Sequence, residues 1–187
     1  MTSRASGSSG AFVLDTHELG RRPGASRTVQ WVVAAPAEIG TDVLGIPEGA
    51  DLRLDLRLEA VMEGVLASGT VEAQLHGECV RCLDRIERQL EIPFQELYVY
   101  PNSEATEDEA ARLEGDLLDL EPVVRDAVVL ALPYQPVCAP DCPGLCPQCG
   151  QRLADEPEHR HEERIDPRWA ALAELRVEQN DREKHEE

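Results

Sequence analysis

The sequence is poor in aromatic residues, in positive charge and in long apolar runs. Only 4% of its 187 residues are aromatic, and 18 lysines and arginines stand against 37 aspartates and glutamates, which gives a net charge of −19. No run approaches the ~18 to 20 apolar residues of a membrane span. The opening MTSRASGSSG lacks the apolar stretch of a signal peptide. We therefore expect a cytoplasmic protein with no membrane partner.

The shortage of positive charge also argues against broad binding to nucleic acids. Proteins bind phosphate backbones by neutralising them with lysine and arginine and releasing counterions, so a strongly acidic chain is poorly suited to a broad RNA surface. A basic partner is easier to accommodate. A glycine-rich phosphate loop and a nucleophile elbow are missing from the sequence as well. We expect no enzyme activity and no small-molecule substrate.

Alternation of apolar and charged residues predicts β-strands. The clearest case is 51–60, where leucine occupies every second position and charged residues fill the positions between. A weaker alternation covers 69–75, and Val29, Trp31 and Val33 suggest another strand. After Cys82 the apolar residues fit either a helix or a strand, but the β-forming tail 94–100 favours a strand. Cys79 and Cys82 would then lie at the tip of a β-hairpin.

Asp119-Leu120-Glu121-Pro122 is typical of a helix start, because proline in the first turn gives up no hydrogen bond. A broad apolar helix face is predicted to follow and to cover the sheet. Its members are Val123, Val124, Ala127, Val128, Leu130 and Ala131. Asp166-Pro167 repeats the start signal before a second, short helix.

These patterns predict an α+β fold with an antiparallel β-rich body of about five to seven strands, covered by one or two helices. We expect residues 1–10 to be disordered and residues 11–135 to form the body, with an acidic loop near 101–116 and a helix near 120–132. Residues 136–187 should form a zinc-knuckle segment with a short helix near 167–177 and a frayed acidic tail.

The chain contains six cysteines, which a reducing compartment keeps available for metals. Zinc takes four tetrahedral nitrogen or sulfur ligands, and a C-x2-C turn supplies two of them. Four short ligand pairs occur here: Cys79 with Cys82, Cys138 with Cys142, Cys146 with Cys149, and His159 with His161. Eight ligands suffice for two complete zinc sites, the number we favour over one.

The simplest pairing joins Cys79 and Cys82 to Cys138 and Cys142, and the remaining two pairs to each other. The rival arrangement is a single site made of Cys142, Cys146, Cys149 and one histidine. The turn 146–150 is the stronger signal, because glycine after its second cysteine relieves crowding around a metal. His159 and His161 are weaker candidates, since they lie in a charged tail.

Two other interpretations compete with structural metal sites. A C-x2-C pair can be a redox dithiol, but that chemistry is expected at a helix start in a βαβ unit, which the β-rich pattern before Cys79 does not offer. Direct RNA binding would use the arginines near the first cysteine pair, Arg81, Arg85 and Arg88, with Arg21 and Arg22 as further candidates.

Several short motifs together resemble the YceD family, the large ribosomal RNA subunit accumulation proteins. They are Leu14-Asp15, the turn 22–24, CVRCL at 79–83, LALP at 130–133, CPGLCPQCG at 142–150 and DPRWAAL at 166–172. The resemblance implies a role in accumulation or processing of large-subunit (23S) ribosomal RNA, with a basic ribosomal protein or a pre-ribosomal particle as partner. It supplies no catalytic residues. It also favours pairing Cys79 and Cys82 with Cys138 and Cys142.

Overall fold

The computed structural model describes residues 10–103, 111–161 and Arg168. Within them the chain forms nine strands, one 3₁₀ turn at His17–Leu19 and one α-helix. The strands are β1 (Val13–Asp15), β2 (Ser26–Ala34), β3 (Ile39–Gly40), β4 (Leu44–Ile46), β5 (Asp51–Ala60), β6 (Gly64–Glu78), β7 (Arg85–Val99), β8 (Ala111–Arg112) and β9 (Leu117–Asp119); the helix is α1 (Glu121–Ala131).

Strands β6 and β7 form the centre of a seven-stranded sheet. Each is 15 residues long, and they pair antiparallel from Gly64 opposite Val99 to Glu78 opposite Arg85. This ladder confirms the strand after Cys82 and places the first cysteine pair beyond the hairpin end. β5 and β4 both pair with β6, β2 pairs with β5, and β3 pairs with β4. β1 and β9 form a separate antiparallel ladder.

One face of the sheet forms the core. The leucines of β5 are at most 2% exposed, whereas Arg53, Asp55 and Arg57 between them face solvent. The period of two read from the sequence is therefore confirmed, and β5 covers the predicted residues. Helix α1 contacts β7 and β3 and buries Val124 and Val128, which lie one turn apart.

The predicted antiparallel sheet with a covering helix is confirmed in outline, but two details differ. The described residues contain nine strands rather than five to seven, because strands of two or three residues such as β3 and β8 are too short to show a periodicity. β8, which pairs parallel with β7, lies in the predicted acidic loop. The predicted helix face was also too broad, since Leu130 is 85% exposed.

The chain divides into two compact units, Met1–Gly144 and Leu145–Glu187. Residues 136–144, which the sequence pattern placed with the C-terminal segment, thus belong to the first unit. The predicted disordered start, the centre of the predicted acidic loop and the predicted short helix near 167–177 lie almost entirely outside the described residues. In the part that is described, no helix has the length and apolarity needed to cross a bilayer.

Candidate metal centres

The turn at Cys79–Leu83 closes the tip of the β6–β7 hairpin with two backbone hydrogen bonds. The N–H of Cys79 donates to the carbonyl of Asp84 at 2.7 Å, and the N–H of Leu83 donates to the carbonyl of Cys79 at 2.9 Å. Leu83 has a φ of +64°, in the left-handed region. This curl turns the two cysteine side chains, three residues apart, toward a common point.

The turn at Cys146–Gly150 repeats the same pattern in the second unit. The N–H of Cys146 donates to the carbonyl of Gln151 at 2.7 Å, the N–H of Gly150 donates to the carbonyl of Cys146 at 2.8 Å, and φ of Gly150 is +75°. Glycine adopts this conformation without penalty, whereas a side chain in the left-handed region costs about 1 to 2 kcal/mol. The two C-x2-C motifs are therefore one kind of turn, strained in the first case and relaxed in the second.

Four thiols converge beside the first turn, and we call them the first cluster: Cys79, Cys82, Cys138 and Cys142. Their sulfur atoms lie within 4.8 Å of one another. Cys79 Sγ is 3.8 Å from Cys142 Sγ, and Cys82 Sγ is 3.5 Å from Cys138 Sγ. Disulfide sulfurs are about 2.05 Å apart, so these are separate thiols. A tetrahedral ion with Zn–S bonds of about 2.3 Å sets its sulfurs ~3.8 Å apart, close to both distances.

Polar contacts hold the segment 136–142 against the hairpin. The N–H of Val80 donates to the carbonyl of Pro136 at 2.9 Å, the Arg81 guanidinium donates to the carbonyl of Cys142 at 2.9 Å, and Arg88 donates to the carbonyl of Val137. Because these bonds satisfy backbone carbonyls on either side of Cys138, they position the second cysteine pair opposite the first. The first cluster is thus built by protein contacts as well as by the sequence spacing of its ligands.

Cys146, Cys149, His159 and His161 form a second cluster, whose ligand atoms also lie within 4.8 Å of one another. Cys149 Sγ is 3.2 Å from His159 Nε2 and 3.1 Å from His161 Nε2, and the two Nε2 atoms are 2.9 Å apart. Zinc–ligand bonds of 2.0 to 2.3 Å in a tetrahedron predict separations of roughly 3.3 to 3.6 Å, so the cluster is slightly tighter than a metal centre. Glu156 lies 3.3 Å from the other ring nitrogen of His159, where a carboxylate can orient a ligating imidazole.

Both clusters contain one cysteine whose pKa is lowered. Burial of Cys79 raises its pKa, but N–H groups of Cys138, Cys82 and Arg81 outweigh this and lower it to about 6. N–H groups of Gln148 and Cys149 do the same for Cys146, whose pKa is also about 6. These N–H groups stabilise a thiolate, the form that binds a metal.

Two other thiols of the first cluster, Cys82 and Cys138, have a raised pKa. The N–H of Asp84 lowers the pKa of Cys82, but burial and its three neighbouring thiols raise it overall. The pKa of Cys138 is raised mainly by its hydrogen bond with Cys142. Four thiols packed this closely resist full ionisation, and a divalent cation is the species that would relieve the repulsion.

All eight ligand candidates from the sequence lie in one of the two clusters, grouped as the simplest pairing had them. Cys142 groups with the hairpin pair and not with Cys146 and Cys149, in contrast to the rival single site. Each cluster lies within one compact unit of the chain.

The arginines proposed as RNA contacts have a structural use that the sequence did not reveal. Arg81 and Arg88 donate to carbonyls of the 136–142 segment, and Arg85 lies 3.7 Å from Glu87 with 81% of its side chain exposed. Arginine clustering near a cysteine pair indicates only positive charge. The carbonyls that accept hydrogen bonds from Arg81 and Arg88 lie 61 and 49 positions further along the sequence, so the local sequence does not indicate them.

Fold and site together define a class: a β-sheet protein with two four-ligand cysteine and histidine clusters that could each hold a metal ion. Its sequence from 67 to 176 matches the family model described as "Large ribosomal RNA subunit accumulation protein YceD". The chain belongs to the YceD family, as its motifs suggested.

Curated relatives agree with this assignment. The uncharacterized protein Rv2926c of Mycobacterium tuberculosis (strain ATCC 25618 / H37Rv) is 52% identical over 168 residues, covering 88% of this chain and 81% of the relative. ML1660 of Mycobacterium leprae is 43% identical over 87% of this chain and 76% of its own length. YlbN of Bacillus subtilis is 29% identical over 57% of this chain and 63% of its own. No solved structure matches the chain.

Proposed function

We propose that this protein is a non-catalytic zinc-binding factor that supports accumulation of large-subunit (23S) ribosomal RNA in the cytoplasm. On this proposal it acts by binding a basic ribosomal protein or a precursor of the large subunit. The main support for this role is the YceD family description, which names large-subunit ribosomal RNA accumulation.

Zinc is proposed for both clusters from their ligand chemistry. Sets of four thiolates, or of two thiolates and two imidazoles, are typical of structural zinc sites, which keep no coordination position open for a substrate. Two sulfur separations in the first cluster, 3.8 Å and 3.5 Å, are close to the edge of a tetrahedral zinc–sulfur site. Residues 136–187 then contain six of the eight ligands, consistent with the proposed zinc-knuckle segment.

A basic partner is supported by charge. A net charge of −19 gives the surface a strongly negative potential, which attracts lysine- and arginine-rich proteins and repels phosphate backbones. Ribosomal RNA would then be reached through a bound ribosomal protein.

The test is genetic and biochemical. Deletion of the gene should lower the ratio of 23S to 16S ribosomal RNA, and the wild-type gene should restore it. Purified protein should co-sediment with large-subunit precursors and not with mature subunits. An unchanged rRNA ratio in the deletion strain would rule out the proposed function.

A second candidate is direct RNA binding at the first C-x2-C turn, favoured by the exposed guanidinium of Arg85. Against it, Arg81 and Arg88 already donate to backbone carbonyls. Direct binding should weaken steeply with salt and fail in Arg85→Ala. Retention of a ribosomal protein without RNA affinity would eliminate this candidate.

A redox function has less support. Cys79 and Cys82 are 0% and 8% exposed, whereas a catalytic dithiol must reach the disulfide of its partner. The low pKa of Cys79 serves metal binding equally well. No enzyme activity is therefore proposed.

A further inference from the structure

An apolar groove of about 820 Å³ opens on the first unit, beside the turn that contains Cys79 and Cys82. Val43, from the turn between β3 and β4, forms one wall. Val80, between the two cysteines, forms the second. Val129 at the end of α1 and Tyr134 just after it form the third. Three segments distant in sequence thus meet around one depression.

The groove exposes large apolar side chains to an unusual degree. Tyr134 is 94% exposed, and Leu130, adjacent to the lining residue Val129, is 85% exposed. Val43, Val80 and Val129 are all above one-third exposed. Scattered apolar residues on a surface are ordinary, but a cluster that includes an exposed tyrosine is typical of a protein interface. A bound partner would bury this cluster.

One acidic residue lines the groove, and two others adjoin its lining residues. Asp42 lines it, Glu78 donates its N–H to the carbonyl of Val43, and Asp126 lies one helical turn before Val129 and Leu130. Among the residues that the structure describes, none of these three carboxylates makes an ion pair. The one cation in the lining, Arg81, donates to the carbonyl of Cys142. That hydrogen bond leaves the guanidinium charge in place, so Asp42 and Arg81 balance within the lining. The preference for a positively charged ligand therefore comes from Glu78 and Asp126 beside the groove and from the net charge of −19.

Two of the three walls adjoin the first cluster. Val80 lies between Cys79 and Cys82, and its N–H donates to the carbonyl of Pro136, shortly after Tyr134 and before Cys138. Walls that are held in place before binding lose little conformational entropy when a ligand arrives. A metal in the first cluster would thus prepare the groove without touching the ligand.

We propose that this groove is the docking site for a basic segment of a partner protein, one that inserts a large apolar side chain beside Tyr134 and sets lysine or arginine against Asp42, Glu78 and Asp126. The proposal rests on the proposed function, because it assigns a surface to the basic partner named there. A second copy of this chain is a poor occupant, since both copies carry the net charge of −19.

The experiment uses the purified full chain loaded with zinc and an array of peptides that tile the large-subunit ribosomal proteins. Wild-type protein should bind a subset of basic peptides containing a large apolar residue. Tyr134→Ala should weaken that binding by about tenfold or more, the effect of losing an interface hot spot. Asp42→Asn with Asp126→Asn should weaken it several-fold at low salt and less at high salt.

Met62→Ala is the matched control, because Met62 is an exposed apolar residue on the turn between β5 and β6. It should leave binding unchanged. All substituted side chains are on the surface, so circular dichroism should show an unaltered fold.

Four outcomes would overturn the proposal. These are binding that survives Tyr134→Ala, selection of acidic or uncharged peptides, failure of every peptide to bind, and a dimer that dissociates on Tyr134→Ala. The rRNA ratio in the deletion strain is a separate measurement. If the deletion strain loses 23S rRNA but no peptide binds, the groove is rejected and the proposed function stands. If peptides bind at the groove but the rRNA ratio is unchanged, the proposed function is rejected and the groove stands.

Discussion

Cys79 and Cys142 lie 63 positions apart in the sequence, yet their sulfur atoms are 3.8 Å from each other. That separation is too long for a disulfide and equals the edge expected for a tetrahedral zinc ion with sulfur ligands. The pair therefore ties the hairpin tip to the chain segment that follows α1. A metal at this point would stabilise the fold by closing a long loop.

Metal content tests the two-cluster arrangement directly. Native protein should contain two zinc ions per chain, and Cys142→Ser and Cys149→Ser should each reduce this to about one, because each removes a ligand from a different cluster. Atomic emission measured on protein of known concentration gives the ratio. Cobalt substitution adds a check, since Cys142→Ser should remove the tetrathiolate absorption and Cys149→Ser should leave it. A single ion that survives Cys142→Ser would reject the first centre.

The two centres should differ in their contribution to stability. A metal in the first cluster links residues 63 apart, whereas the Cys149–His161 link in the second spans 12. Loop-closure entropy alone then makes the first link worth about 1.5 kcal/mol more. Cys142 is also buried and Cys149 exposed. Urea unfolding of zinc-loaded protein can be followed by the circular dichroism of the sheet. The free energy of unfolding should fall more for Cys142→Ser than for Cys149→Ser. Equal losses would contradict this account.

The sequence predicted the sheet and the ligand grouping well because both depend on short-range patterns. The leucines of β5 alternate with charges, and each C-x2-C pair presents two ligands from one turn. Counting complete sets of four ligands then favoured the grouping observed. The resemblance to the YceD family favoured the same pairing.

What the sequence missed depends on contacts across long separations. Helix periodicity counted Leu130 as part of the buried face, but α1 covers only part of the sheet and leaves Leu130 exposed. Arg81 is a candidate RNA contact on sequence grounds, because nothing local indicates that its partner is the carbonyl of Cys142. Strand β8 has only two residues, too few to leave a periodic signal, and its parallel partner β7 ends 12 positions earlier in the sequence.

Leu83 should be a site where substitution by glycine stabilises the protein. Its φ of +64° matches that of Gly150 in the other turn, and its side chain is 62% exposed, so little packing would be lost. Leu83→Gly should raise the free energy of unfolding by up to about 1 kcal/mol, since relief of left-handed strain exceeds the entropy cost of glycine. Gly150→Ala should have the opposite sign. Leu83→Ala is the control: if it stabilises as much as Leu83→Gly, the gain comes from removing an exposed apolar side chain and not from the backbone.

Asp116 should make the first unit sensitive to acid. Its carboxylate accepts from His17 at 3.2 Å and from Arg21 at 3.3 Å, and these hydrogen bonds lower its pKa below the usual 3.8. Because the folded pKa is the lower one, the stabilisation is present above the unfolded pKa and is lost as pH falls through the folded value. Asp116→Asn should therefore destabilise the protein near neutral pH. The gap between its free energy of unfolding and that of wild type should narrow below about pH 4.

Denaturant titrations at a series of pH values measure that gap. Asp51→Asn, at the exposed start of β5, removes a carboxylate of the same type without the two partners and is the matched control. Its difference from wild type should change less between pH 3 and pH 7 than that of Asp116→Asn. Parallel curves for the two variants would mean that the contacts with His17 and Arg21 contribute nothing to the acid response.

The Arg21 guanidinium also lies 4.9 Å from the centre of the Tyr100 ring. Arg21→Ala should therefore reproduce part of the acid response and lose the ring contact as well, which makes it the more destabilising change at neutral pH.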